Sequence, residues 1–100
     1  TYLDLNMLLS SSSALLFKKG RLYVIYPSKR LGEVIDGARA NRLEPKRLRF
    51  IHPRENEPSN LFLAEFIKEG GIGTTVEPPL YIYKNGYYTE EVEGYYLLRN

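Results

Sequence analysis

The chain has 100 residues, of which 43% are hydrophobic and 26% charged, the balance of a small globular unit. It has no cysteine, so disulfides and thiolate chemistry are excluded, and its single histidine argues against a protein-only zinc site. A net charge of +2 does not by itself mark a nucleic-acid binder, and no apolar run approaches the roughly 20 residues that cross a bilayer.

Residues 2–17 are predicted to form a helix. Leu5, Leu8, Leu9, Ser12, Leu15 and Leu16 recur at spacings of three and four, and define its buried side. Thr1 to Asp4 has the shape of a capping box. Lys18 and Lys19 suit the negative end of the helix dipole, and Gly20 the stop. The same apolar patches are broken by Asp4, Asn6 and the run Ser10 to Ser13, so they do not read as a secretory signal. The expected location is the cytoplasm.

Residues 21–26 read as a strand. The stretch is nearly all apolar or aromatic and does not alternate, which predicts cover on both faces. Pro27 and Ser28 break it, with Ser28 as the helix N-cap. A second helix is predicted over 30–43, with Leu31, Val34, Ile35, Ala38 and Arg42 along one side. Gly32 and Gly37 weaken it by about 1 kcal/mol each, which close packing on a sheet would explain.

Pro45 leads into a strand at 46–52, where Arg47, Leu48, Arg49 and Phe50 alternate and leave one face half solvated. A polar loop, 53–60, precedes 61–67. The approach through Pro58, Ser59 and Asn60 and the exit through Gly70 and Gly71 favour a strand there, returning antiparallel to a neighbour. Beyond Gly73, Asn85-Gly86 between tyrosine-rich runs predicts a β-hairpin. Residues 1–70 thus make an α/β unit of order α-β-α-β-β, and residues 71–100 a hairpin-containing extension.

A crossover helix makes its two flanking strands parallel. Their ends then share one rim of the sheet, where open α/β sheets bind ligands. Tyr26, Pro27, Ser28, Lys29, Arg30, His52, Arg54 and Asn60 fall on that rim.

This order resembles the C-terminal half of a class I S-adenosylmethionine-dependent methyltransferase, a Rossmann-like sheet whose last strand is antiparallel. The runs 20–31 (GRLYVIYPSKRL), 43–54 (LEPKRLRFIHPR) and Ser59-Asn60-Leu61 resemble the bacterial methyltransferases that modify an adenine exocyclic amine in a valine tRNA. The tail EPPLYIY at 77–83 and GYYTEEV at 86–92 is similar to that family's ending. The resemblance implies a parent enzyme that uses S-adenosylmethionine and acts on tRNA. It also implies a missing N-terminal half, because the family's Gly-rich cofactor loop and catalytic Asn-Pro-Pro-Tyr have no counterpart here. No cofactor and no catalytic residue is therefore expected on these residues alone.

Lys46, Arg47, Arg49, His52 and Arg54, with Lys29 and Arg30 across the edge, are candidates for holding RNA phosphates. The competing reading of these charges is a solvated strand face. His52 is a candidate acid-base group, though a hydrogen-bonded structural histidine is favoured. Tyr26, Ser28, Ser59 and Asn60 are candidates for substrate contact, with turn chemistry before a strand as the competing reading of Ser59 and Asn60. Two other readings stay open: a small RNA-binding module, and a piece that pairs with itself into a homodimer to hide an uncovered sheet edge.

Overall fold

The computed structural model of the chain describes residues 4–99. Its elements are α1 (Leu5–Leu15), β1 (Arg21–Pro27), a 3-10 turn (Ser28–Arg30), α2 (Leu31–Ala40), β2 (Leu43–His52), β3 (Leu61–Lys68), β4 (Thr75–Val76), β5 (Leu80–Tyr81), β6 (Tyr83–Lys84), β7 (Tyr87–Tyr88) and α3 (Glu90–Arg99).

The α-β-α-β-β order holds. The crossover through α2 makes β1 and β2 parallel, and β3 lies between them, antiparallel to both. The register sets Tyr26 and Phe50 opposite Phe62, so the ends of β1 and β2 meet at one rim beside the start of β3. At the other side of β2, β4 and β5 pair with it in parallel. These two short strands belong to the tail, which was expected only to form a hairpin. Pro78 and Pro79 interrupt what is otherwise one edge strand, because proline has no N–H to give to a ladder.

One face of the sheet carries α1 and α2. Val24 of β1, Leu43 of β2, and Phe62, Ala64 and Phe66 of β3 pack there against Leu9, Val34 and Ala38. Phe62 and Phe66 are fully buried, and burying each phenyl ring contributes about 1.5–3 kcal/mol. The opposite face is largely open. Tyr23 is 60% exposed and Ile25 62%, so the expectation that both faces of β1 are covered is corrected. The lack of alternation in β1 reflects an apolar outer face that nothing among the described residues covers.

Asp4 is the N-cap of α1, its carboxylate accepting from the Met7 N–H at 2.8 Å. Thr1, the expected capping residue, lies outside the described residues. The buried side of α1 is Leu9 and Ser13, while Leu8 and Leu15 are exposed. Its C-terminal carbonyls are capped from the sheet and not by Lys18 or Lys19: Lys68 Nζ donates to Ser13 O at 2.5 Å and Leu16 O at 2.9 Å.

Helix α2 starts later and ends earlier than the apolar spacing predicts. Ser28 is not its cap; Arg30 takes that position without a side-chain hydrogen bond. The helix stops at Ala40, and Arg42 adopts a left-handed conformation with φ 62° and is exposed, so it does not extend the apolar side. Gly37 faces α1, not the sheet, where a Cβ would come within 2.9 Å of Leu9 Cδ1; Gly32 has nothing within 4 Å.

The hairpin forms as expected. Tyr83 pairs with Tyr88 and Lys84 with Tyr87 around Asn85 (φ 53°) and Gly86 (φ 82°). Helix α3 was not anticipated. It reaches the open face of the sheet through Arg49, whose guanidinium makes a two-pronged bond to Glu91 at 2.7 and 2.8 Å. Among the described residues no helix is long and apolar enough to cross a membrane.

Candidate functional site

The rim is built where three chain segments leave the sheet. Strand β1 ends in a proline, which needs no ladder donor, and turns through Ser28–Arg30 into α2. The return loop enters β3 through Ser59 and Asn60. Main-chain bonds lock these segments together: Ser28 N–H donates to Asn60 O, and Asn60 N–H to Ile51 O, each at 3.1 Å. Side chains repeat the link. Ser28 and Ser59 hydroxyls lie 2.6 Å apart, and Ser59 Oγ also reaches Ile51 O and Leu61 O.

Charge at the rim is compensated locally. Arg30 binds Glu33 at 2.7 and 3.2 Å, donates to the Tyr26 hydroxyl at 3.1 Å and lies over its ring at 5.2 Å. The hydrogen bond from Arg30 holds the Glu33 carboxyl below the usual carboxylate range. Arg54 binds Glu57 at 2.9 Å and lies over Tyr83 at 5.3 Å. His52 Nδ1 is 2.8 Å from the Glu57 carbonyl. A carbonyl can only accept, so Nδ1 carries a proton and donates to it. The ring also packs on Tyr81, with centroids 5.5 Å apart. Lys29 is exposed.

The structure therefore brings together Tyr26, Ser28, Lys29, Arg30, His52, Arg54 and Asn60. It does not bring Lys46, Arg47 and Arg49 to the rim; Lys46 Nζ donates to Gly71 O at 2.7 Å, toward the far end of the sheet. Arg47 and Arg49 project from the middle of β2 onto the open face, where Arg47 meets Glu77 at 2.9 Å and Arg49 meets Glu91. Arg49 in turn keeps the Glu91 carboxyl below its usual range. The rim residues not anticipated are Glu57, which partners both His52 and Arg54, and the tyrosines 81 and 83. The tail tyrosines were expected either to stack on bases or to hold the hairpin on the body; the pairing of Tyr81 and Tyr83 with His52 and Arg54 depends on β5 adding to β2. A shallow groove of about 370 Å³ runs beside them, lined by Arg54, Glu55, Asn56, Tyr83, Lys84 and Asn85.

The hydroxyls of Ser28 and Ser59 and the guanidiniums of Arg30 and Arg54 are spent on one another and on neighbouring groups. The glycine run 70–73 follows β3, which runs away from the rim, so it sits at the far end of the sheet and opens no helix. It lacks the strand-turn-helix geometry that cradles a cofactor. Among the described residues no group of acidic or histidine side chains is arranged to hold a metal ion.

No protein-family model and no curated protein sequence matches the chain. Its fold does match a solved structure, a predicted O-methyltransferase from Agrobacterium tumefaciens. The TM-score is 0.82 at 24% identity, over 93% of this chain and 45% of that one. The chain spans less than half the length of that protein, and it has a methyltransferase-like α/β fold in partial form.

Proposed function

We propose that the chain is the substrate-side part of an S-adenosylmethionine-dependent methyltransferase acting on an adenine exocyclic amine in tRNA. The methyl donor would be held by polypeptide outside these 100 residues, and the chain alone would be inactive. The observation that carries this reading is the rim. Strand ends that open α/β enzymes use for ligands are locked together here by Ser28, Ser59 and Asn60, in a fold that covers 45% of a predicted O-methyltransferase. The edge of β1, with Tyr23 and Ile25 exposed beside it, supports docking of the missing half.

The choice of tRNA rests on the sequence resemblance. The solved neighbour's description favours a second reading, a hydroxyl acceptor. The same bare β1 edge also suits a self-associating module, which sedimentation of the isolated chain would reveal as a homodimer.

The test combines the chain with a polypeptide that supplies the Gly-rich loop and Asn-Pro-Pro-Tyr. Methyl-labelled S-adenosylmethionine is offered with tRNA transcripts and, separately, small hydroxylated acceptors. Label in the amine-methylated adenosine of digested tRNA is the expected result. Label confined to the hydroxylated acceptors would overturn the tRNA assignment, and no transfer by a folded complex would overturn the methyltransferase reading.

A further inference from the structure

The positive charge of this chain is concentrated at the end of the sheet opposite the rim. Lys18, Lys19, Arg21, Arg39, Arg42, Lys46 and Lys68 lie toward that end with Glu44, Glu65 and Glu69, an excess of four charges in a chain whose total is +2. The remainder of the molecule is therefore net negative. At the rim, by contrast, Arg30 and Arg54 are each matched by a glutamate.

Three segments meet at this pole through their main chains. Lys19 N–H donates to Lys68 O at 2.9 Å, and Glu69 N–H donates to Arg42 O at 2.8 Å. Lys19 Nζ reaches Glu69 O at 2.9 Å and Lys46 Nζ reaches Gly71 O at 2.7 Å, contacts that leave both charges without a carboxylate. Lys18 and Arg42 meet no carboxylate among the described residues.

The backbone adds a second observation. Lys19 (φ 68°) and Arg42 (φ 62°) occupy the left-handed region, where glycine would sit without strain. Glu69 at the same pole shares this conformation with φ 55°. Beside them Phe17 is 89% exposed, a large aromatic ring with almost nothing packed on it.

Cations around a bare aromatic ring are the chemistry that grips an unpaired nucleic-acid strand: ammonium and guanidinium groups on the phosphates, and the ring stacked on a base. We propose that this pole is a single-stranded RNA contact in which Lys18, Lys19 and Arg42 hold phosphates and Phe17 stacks on a base. The inference rests on the tRNA reading above and adds where the RNA is gripped. Seven residues of β1 at about 3.3 Å each separate the pole from the rim by about 23 Å, so one RNA must lie along the molecule to touch both.

The test measures binding of the chain to a fluorescent unpaired RNA oligonucleotide across a salt series, and to anionic phospholipid vesicles. Phe17→Leu keeps an apolar side chain but removes the ring, and is expected to weaken RNA about tenfold. Lys18→Ala with Arg42→Ala should lower the slope of log affinity against log salt by about 1.4, at about 0.7 for each phosphate lost from a single strand. Lys19→Gly should weaken RNA while holding or raising the thermal midpoint, which separates lost contact from lost folding. Lys29→Ala with Arg54→Ala, at the rim, should weaken RNA by a smaller factor than Lys18→Ala with Arg42→Ala at the pole.

Loss of binding in the rim variant with none at the pole would overturn the inference and leave the tRNA reading standing. Vesicle binding that survives Phe17→Leu, with no RNA bound by the unaltered chain, would overturn both. The methyl-transfer assay decides the methyltransferase reading independently.

Discussion

The Ser59 hydroxyl stands 2.6 Å from that of Ser28 and within 2.9 Å of two main-chain carbonyls, Ile51 and Leu61. A hydroxyl has one proton. Ser59 therefore gives its proton to a carbonyl, and Ser28 donates to Ser59. The two serines are unequal as a result. Ser59→Ala removes the acceptor of Ser28 and a donor to the β2 end, and is expected to cost about 1–3 kcal/mol, whereas Ser28→Ala should cost about 0.5–1.5 kcal/mol. Urea unfolding of the two variants checks the order. A larger loss for Ser28→Ala would show that the proton runs the other way.

The two glycines of α2 should respond in opposite directions to alanine. At Gly32 nothing lies within 4 Å, so Gly32→Ala should stabilise by about 0.5–1 kcal/mol through helix propensity alone. At Gly37 the new methyl meets buried Leu9 at 2.9 Å and Asn6 Oδ1 at 3.3 Å. Overpacking there costs about 1–3 kcal/mol, more than the propensity gain of about 1 kcal/mol. Thermal unfolding of both variants in one buffer decides it, and stabilisation at both sites would mean that α1 yields freely.

Glu65 sits on the open face of the sheet with only 5% of its surface exposed. It accepts from the Tyr23 hydroxyl at 2.8 Å and from Arg21 at 3.2 Å. Tyr23 first, and the charge of Arg21 after it, hold this carboxyl below its ordinary value of 4.5, against the opposing effect of burial. A carboxyl depressed by folding adds stability that is complete above its unfolded pKa and is lost as pH falls through the folded one. Thermal midpoints should therefore drop from pH 5 downward. Glu65→Gln keeps an acceptor for Tyr23 but cannot titrate, so its midpoint should fall less steeply over that range. Glu33 and Glu91, also depressed, leave some acid sensitivity in the variant. Superimposable pH profiles for Glu65→Gln and the unaltered chain would contradict the assignment.

The parts legible in the sequence are those whose signals are local. The strand ending at Pro27, the apolar spacing of Leu31, Val34 and Ala38, the return strand from Leu61, and the Asn85-Gly86 turn all carry their own cues. Knowing that α2 crosses between parallel strands was enough to place Tyr26, His52 and Asn60 on one rim. What could not be read depends on partners distant in the chain. Strands β4 and β5 exist only because β2 offers them an edge. Helix α3 begins with three glutamates in its first four residues, which also reads as solvated surface, and its anchor is Arg49. The expectation for β1 failed for a related reason. Its apolar outer face suggests burial, and Tyr23 and Ile25 stay exposed because nothing among the described residues covers them.

The central claim is that the rim is the substrate side of a methyl-donor pocket completed by another polypeptide. Ultraviolet cross-linking of radiolabelled S-adenosylmethionine to the reconstituted complex, followed by peptide mapping, tests it most directly. The account predicts that any label on this chain falls in the peptides holding Tyr26 to Ser28 or His52 to Arg54. Label at the glycine run 70–73, in α3, or on the isolated chain in stoichiometric amount would contradict it.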